Sequence, residues 1–121
     1  MADVESVLAP WLESQLDVFC AAETPADLED TLPMIRVERV AGVDGRFGQS
    51  PAVAVDVFAA TADEARTLAG RVRETLVFLT GPVPGAVIRS VRCTSGPTRQ
   101  PWASEAIHRR GATYVVSLRS A

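Results

Sequence analysis

The chain has 121 residues, of which 47% are hydrophobic and 22% charged, and a formal net charge of −3 at pH 7. This length suits one domain, residues 1–121, which buries roughly 65% of the surface that its unfolded chain exposes. No apolar run approaches the roughly 18 residues of a membrane-spanning helix. Acids near the start, Asp3 and Glu5, differ from the basic region that opens a signal peptide. These features predict one globular domain that does not bind a membrane.

The first predicted element is a helix, because apolar residues recur at helical spacing from Val4 to about residue 20. Pro10 lies within this pattern and leaves two alternatives. The helix begins near Pro10, or it begins earlier and is kinked there. The segment Thr24-Pro25-Ala26-Asp27 has the sequence of a second, short capped turn, which ends before Pro33.

Alternating side chains predict a first strand from Met34 to Gly42 and a second strand through Ala52–Phe58. The segment between them, Gly42–Ser50, contains three glycines and has no periodicity, so we expect an exposed and mobile loop. It does not match a phosphate-binding loop, because no helix and no Lys follow. Asp56 is the one acid inside the apolar strand. We expect it to face the uncovered side of the sheet or to pair with Arg36 across the strands.

A second helix is predicted directly after this strand. Thr61 and Glu64 have the spacing of a capping box, in which the hydroxyl accepts a hydrogen bond from the N–H three residues later. The apolar stripe that follows consists of Ala65, Leu68, Ala69, Val72, Leu76 and Leu79.

The C-terminal third predicts a rigid turn at Gly81–Gly85, a strand from Val87 to Thr94 and a last strand from Ala112 to Arg119. The connection Ser95–Gly111 exceeds the about 12–15 residues beyond which an unstructured segment is usually functional. The predicted order is therefore α-β-β-α-β-β. It implies an α+β two-layer sandwich, in which both helices cover one face of a mostly antiparallel four-stranded sheet. Such a sheet leaves one face and two edges for a partner subunit.

Charge is divided unevenly along the chain. Residues 1–30 hold eight acids and no Arg, a charge of −8, whereas the remainder holds twelve Arg and seven acids, a charge of +5; together these give −3. Unlike patches on one subunit favour head-to-tail association, unless the charges intermix on folding.

No catalytic, metal or cofactor site is expected. His108, the only histidine, lies beside two arginines and has no nucleophile elbow near it, and the two cysteines lack metal-ligand spacing. Trp and Arg are enriched at the centres of interfaces. The expected interface residues are Trp102, Ile107, His108, Arg109 and Arg110 in the long connection, with Arg46 and Phe47 in the glycine-rich loop. The alternative is that Trp102 covers the domain's own core.

Several segments resemble the tail terminator, or tail completion, proteins of long-tailed bacteriophages of actinobacteria. These are Leu32–Gly42, Pro51–Ala59, Gly96-Pro97, Pro101-Trp102 and Arg109–Tyr114. The resemblance implies a virion protein that forms a homohexameric ring on the tail tube, stops tube polymerisation and provides the surface for joining the head. Its implied partners are further copies of itself, the tail tube protein and the head–tail connector proteins, and DNA would pass through the ring without sequence-specific binding. The alternative function is a non-catalytic, dimeric α+β binding module that uses its open sheet face for a protein or small ligand.

Overall fold

The computed structural model describes residues 3–45, 48–102, 104 and 106–120. Two helices and six strands are the main elements, with a short 3₁₀ turn at Leu28–Asp30. In chain order they are α1 (Val4–Leu16), β1 (Phe19–Ala21), β2 (Met34–Gly45), β3 (Gly48–Ala59), α2 (Ala62–Val77), β4 (Gly81–Val83), β5 (Ala86–Gln100) and β6 (His108–Ser120).

The six strands form one mixed sheet in the order β1-β2-β3-β6-β5-β4. β1 runs parallel to β2, and every other neighbouring pair is antiparallel. The predicted four-stranded sheet with the order α-β-β-α-β-β is therefore wrong. It missed β1 and β4, each of which has three residues. Strands this short contain too few residues to show a period of two, and Gly81 and Pro82 of β4 favour a turn on sequence grounds.

Both helices begin where a side chain caps them. Asp3 accepts a hydrogen bond from the backbone N–H of Glu5 at 3.2 Å, and α1 begins at Val4 with Pro10 inside it. The earlier of the two alternative starts is thus the correct one. At α2, the Thr61 hydroxyl accepts from the backbone N–H of Glu64 at 3.1 Å, which confirms the predicted cap.

The main core lies between the sheet and both helices, which pack against the same face. The predicted apolar stripe of α2 is confirmed, because all of its residues are buried. From β3, Val53, Val55 and Val57 point into this core, as their alternation predicted. Tyr114 of β6 is its largest fully buried side chain.

Two segments predicted as loops are strands instead. The described residues of this first segment, 42–45 and 48–50, belong to β2 and β3, in which Gly42 pairs with Pro51 and Gly45 with Gly48. Ser95–Gly111 also shortens, because β5 continues to Gln100 and β6 begins at His108. The residues between the strands are then only 101–107.

The alternation predicted for Val87–Thr94 fails at a bulge. The register shifts between Ile88 and Ser90, so that Ile88 and Val91, three residues apart, are buried on the same face. An extra residue in one strand re-aims the side chains that follow it. The sequence pattern of period two cannot reveal such an insertion.

Both edge strands are protected against pairing with another strand. In β1, the backbone N–H of Cys20 donates to the Glu13 carboxylate at 3.1 Å. In β4, Pro82 has no N–H to donate. These are features by which proteins prevent edge-to-edge association of sheets. Neither described helix is both long and apolar enough to cross a membrane.

Candidate functional site

The candidate site lies at one end of the sheet, on the face opposite the helices, and is centred on Asp56. Strand register places Arg36 of β2 and Gly111 of β6 on either side of Asp56 in β3. Because side chains alternate along a strand, Asp56 and Phe58 point away from the apolar core that the valines of β3 enter. Arg109 lies beside Phe58 in the next strand.

A single carboxylate binds two guanidinium groups here. One oxygen of Asp56 lies 2.7 Å from Nη2 of Arg36, and the other lies 3.3 Å from Nη2 of Arg109. The Asp56 side chain is only 5% exposed, whereas the arginine side chains retain 17% and 22% exposure. The predicted pairing of Asp56 with Arg36 is confirmed. A second carboxylate, that of the more exposed Glu38, lies 4.0 Å from Nε of Arg36.

Two aromatic rings complete the cluster. Phe58 and Trp102 meet edge to face, with their ring centroids 4.9 Å apart. The guanidinium carbons of Arg36 and Arg109 lie 5.5–6.0 Å from both ring centroids. Cations within about 6 Å of a ring face are attracted by its quadrupole. The rings thus add to the attraction that the carboxylates exert on both guanidinium groups.

A second, smaller hydrophobic cluster adjoins this site and shares Phe58 with it. Its buried members are Leu28, Met34, Phe58 and Ile107, and Trp102 packs against them. Leu28 comes from the 3₁₀ turn and Ile107 from the segment before β6. Leu28, Met34 and Phe58 therefore hold Trp102 and Ile107 against the end of the sheet.

Because Gly111 has no side chain, the carboxylate of Asp56 can occupy the space beside its backbone. A Cβ atom at this position would lie 2.5 Å from Oδ1 of Asp56 and 2.6 Å from Nε2 of Gln100. Both distances are well inside van der Waals contact, so any side chain here would displace the cluster. We see no sequence signal that distinguishes this glycine from those in turns.

The predicted interface residues fall in different environments. Trp102 is half-buried on the domain's own second core, which is the alternative that the sequence left open. Ile107 is 6% exposed and Arg109 is held by Asp56, so neither is free for a partner in this structure. His108 and Arg110 are half-exposed and point to the helix side of the sheet. Their role in subunit contact stays a prediction, and Arg46 and Phe47 lie outside the described residues.

A cavity of about 350 Å³ adjoins the cluster on the helix side. Its lining includes the first turn of α2 and the basic side chains Arg99, His108 and Arg110. Arg99 and Arg110 occupy directly opposite positions of β5 and β6. Sequence reasoning missed Arg99 because Ser95-Gly96-Pro97 indicated a loop, not a continuing strand.

A cavity of about 400 Å³ lies on the other side of residues 101–107 and is lined by the acidic turn, Thr24–Asp30. Asp27, Glu29 and Asp30 are exposed there. The hydroxyl of Ser104 donates to the Glu29 carboxylate at 3.5 Å, which connects this turn to the loop. Opposite charges therefore lie on either side of one short segment.

The described residues contain no group of three or more His, Cys, Asp or Glu placed to hold a metal ion. Burial, with a smaller contribution from Glu13, raises the pKa of Cys20 to about 12, so this thiol stays protonated near neutral pH. Burial likewise raises the pKa of Tyr114 above its ordinary value. Cavities, charges and aromatic rings at this end of the sheet are suited to binding.

Comparison of the chain with models of protein families and with curated proteins found no match.

Proposed function

We propose that this protein is a tail terminator of a long-tailed bacteriophage. Six copies form a ring at the head-proximal end of the tail tube, stop its polymerisation and provide the surface to which the head is joined. The proposal starts from the sequence resemblance. One structural observation supports it: four of the five segments that carry the resemblance contribute residues to the candidate site.

These segments are far apart in the chain but adjacent in the fold. Leu32–Gly42 supplies Arg36, Pro51–Ala59 supplies Asp56 and Phe58, and Arg109–Tyr114 supplies Arg109 and Gly111. Pro101-Trp102 provides the second ring. A charged cluster that is largely out of water depends on all its members, because an unpaired charge there is costly. The resemblance is therefore carried in part by residues of one charged and aromatic cluster, which positions Trp102 at the end of the sheet.

In this function the protein acts by binding, without catalysis and without a cofactor. Its partners are other copies of itself, the tail tube protein and the head–tail connector proteins. DNA passes through the ring without sequence-specific contacts, which suits a chain with a net charge of −3, because tight phosphate binding would hinder passage. Its place is the tail of the virion, and the host cytoplasm during assembly.

The test is the length of tail tubes. A tail tube protein from the phage that carries this chain should be polymerised with and without the purified protein, and tube lengths should be measured by electron microscopy. We expect a narrow length distribution and one ring at a single end of each tube when the protein is present. Tubes of unchanged and irregular length, with no ring at either end, would refute the proposal.

A second candidate function is a dimeric binding module that uses the open sheet face. The half-exposed side chains on the face opposite the helices favour it: Ala52, Ala54, Thr113 and Val115 lie on neighbouring strands there. Native mass spectrometry separates the two candidates. A sixfold mass supports the terminator, whereas a strict dimer that retains a ligand supports the binding module.

A further inference from the structure

The cavity of about 350 Å³ contains positive charge that no described residue neutralises. Arg99 and Arg110 face each other across β5 and β6, and neither makes an ion pair or hydrogen bond with a described residue. Like charges at directly opposite positions destabilise a sheet. His108 and the N–H groups in the first turn of α2 add further attraction for an anion. We call Arg99, His108 and Arg110 the basic pocket.

Two acids close to the basic pocket, Asp63 and Asp56, already form ion pairs with other arginines. In the first turn of α2, Asp63 binds Arg66 at 2.9 Å, and Asp56 lies between Arg36 and Arg109 on the other face of the sheet. Glu29 accepts a hydrogen bond from Ser104 of the pocket lining, but no described carboxylate pairs with Arg99 or Arg110. A second copy of the chain can supply carboxylates to these two arginines.

The acidic turn, in the same way, carries negative charge that no described residue neutralises. Asp27 and Asp30 are exposed, and their side chains form no ion pair with a described residue. Asp27 precedes the 3₁₀ turn without capping it through its side chain. Leu28 anchors the turn by packing with Met34 and Phe58. The carboxylates are thus presented by a backbone that the core holds in place.

The two charged surfaces adjoin each other at one end of the sheet, because Trp102, Ser104 and Ile107 line both cavities. The basic pocket includes Ala65 from the core on the helix side, whereas Leu28 of the acidic turn belongs to the cluster on the other face. Each copy therefore presents a basic and an acidic surface separated by one short segment. A contact between unlike surfaces that repeats from copy to copy closes into a ring when the rotation allows it.

We propose that the acidic turn of one copy binds the basic pocket of the next, with Asp27 and Asp30 contacting Arg99 and Arg110. The occupant of the pocket is a second copy of this chain. This inference rests on the proposed function only in taking the ring as the assembled form. It moves the expected intersubunit contact from Arg109, which Asp56 occupies, to Arg99.

Two charge-reversal variants test the contact. The pocket variant carries Arg99→Glu and Arg110→Glu, and the turn variant carries Asp27→Arg and Asp30→Arg. Each alone should associate at least about tenfold more weakly than the wild type, because each interface loses two attractions and gains two repulsions. Sedimentation velocity and native mass spectrometry at low salt measure the association. The wild type should itself associate less as salt is raised.

An equimolar mixture of the two variants is the decisive sample. The reversed pocket of one variant matches the reversed turn of the other, and their unaltered surfaces also match. The mixture should therefore assemble into rings in which the variants alternate, at close to wild-type affinity. A mixture that stays as weakly associated as its components would overturn the inference, and a mixture that stops at a heterodimer would overturn the head-to-tail arrangement.

Matched controls separate charge from folding. Arg92→Glu with Arg119→Glu makes the same change at exposed sites on the same two strands and should leave association within about twofold of the wild type. Thermal melts of every variant check the fold. Should Arg110→Glu prevent folding, Arg99→Gln with Arg110→Gln removes the attraction without adding repulsion, and the exposed turn variant tests the other side of the same contact.

Three further outcomes count against the inference. A wild type that remains monomeric at every concentration and salt level contradicts it, while tube-length control still tests the proposed function. Rings that form equally well from both variants also contradict it and leave the proposed function intact. Duplex DNA of mixed sequence is the third probe: DNA binding that the pocket variant loses, with self-association unchanged, would assign the pocket to phosphate instead.

Discussion

Replacing Asp56 by Asn removes the only negative charge between two guanidinium groups. Asn has nearly the same volume as Asp, so the substitution creates no cavity. Its amide oxygen can still accept one hydrogen bond. The change therefore isolates the electrostatic contribution of the carboxylate that lies 2.7 Å from Arg36 and 3.3 Å from Arg109.

The magnitude follows from burial. Removing one member of a buried ion pair destabilises a protein by about 3–5 kcal/mol, because the remaining charge is left uncompensated. Here the arginine side chains keep 17% and 22% exposure, which lets water solvate part of their charge. We therefore expect the lower end, about 3 kcal/mol. At about 4 °C per kcal/mol for a domain of this size, the melting temperature should fall by roughly 12 °C.

Thermal and urea unfolding followed by circular dichroism measure this effect. The matched control is Asp63→Asn, which breaks an exposed ion pair with Arg66 and should cost no more than about 0.5 kcal/mol. Adding Arg109→Gln to the Asp56→Asn variant should recover part of the loss, because it removes one of the uncompensated charges. If Asp56→Asn melts together with the control, the cluster does not stabilise the fold and our reasoning about it is refuted.

Three other substitutions or reactions probe the same fold. Gly111→Ala should cost about 1–3 kcal/mol in unfolding experiments, because its methyl group would overlap the central carboxylate, whereas Gly96→Ala, with open space around it, should cost far less. Trp102→Ala should lower unfolding stability by about 2 kcal/mol, less than a fully buried Trp, and an unchanged melt would show that it serves only a partner. Iodoacetamide at pH 8, read by mass spectrometry, should label the half-exposed Cys93 well before Cys20. Because the pKa of Cys20 is raised to about 12 in the fold, the stability linked to its neutral thiol is present below about pH 9 and should be lost as the pH rises towards 12.

The sequence predicted the elements in which local signals agree with the packing. In α2, the cap at Thr61 and the apolar stripe point to the same helix, and both are present. In β3, strict alternation separated the core valines from Asp56, and it also suggested the pairing with Arg36. Local patterns of this kind are reliable because each residue's own position in the period determines which face it occupies.

The errors lie where a strand is determined by its neighbour. Glycines at 42, 45 and 48 indicate a loop, yet all three are paired between β2 and β3, Gly42 and Gly48 with positive φ angles of 131° and 151°. Ser95-Gly96-Pro97 indicates a turn, but β6 keeps β5 extended across two register shifts. Hydrogen bonds to an adjacent strand can override weak local preference, and their presence cannot be read from the segment alone.

Prediction of the candidate site from the sequence was limited in the same way. Trp and Arg in a long connection indicated an interface, and the sequence could not show that Phe58 and Asp56 end beside them. Once the sheet is assembled, Trp102 and Arg109 are committed to the subunit's own structure. Arg99, in contrast, becomes a candidate only because β5 extends far enough to place it opposite Arg110.

The edges and the charges together determine which surfaces remain for association. Glu13 occupies an N–H of β1, and Pro82 removes one from β4, so neither edge is suited to continue its sheet into a neighbouring subunit. Contacts between subunits then depend on side chains. Of the charges, Asp27 and Asp30 of the acidic turn and Arg99 and Arg110 of the basic pocket have no partner on the described part of the subunit, and the two surfaces adjoin each other. A chain that is −8 over its first thirty residues and +5 over the rest can satisfy both surfaces by repeating the contact from copy to copy.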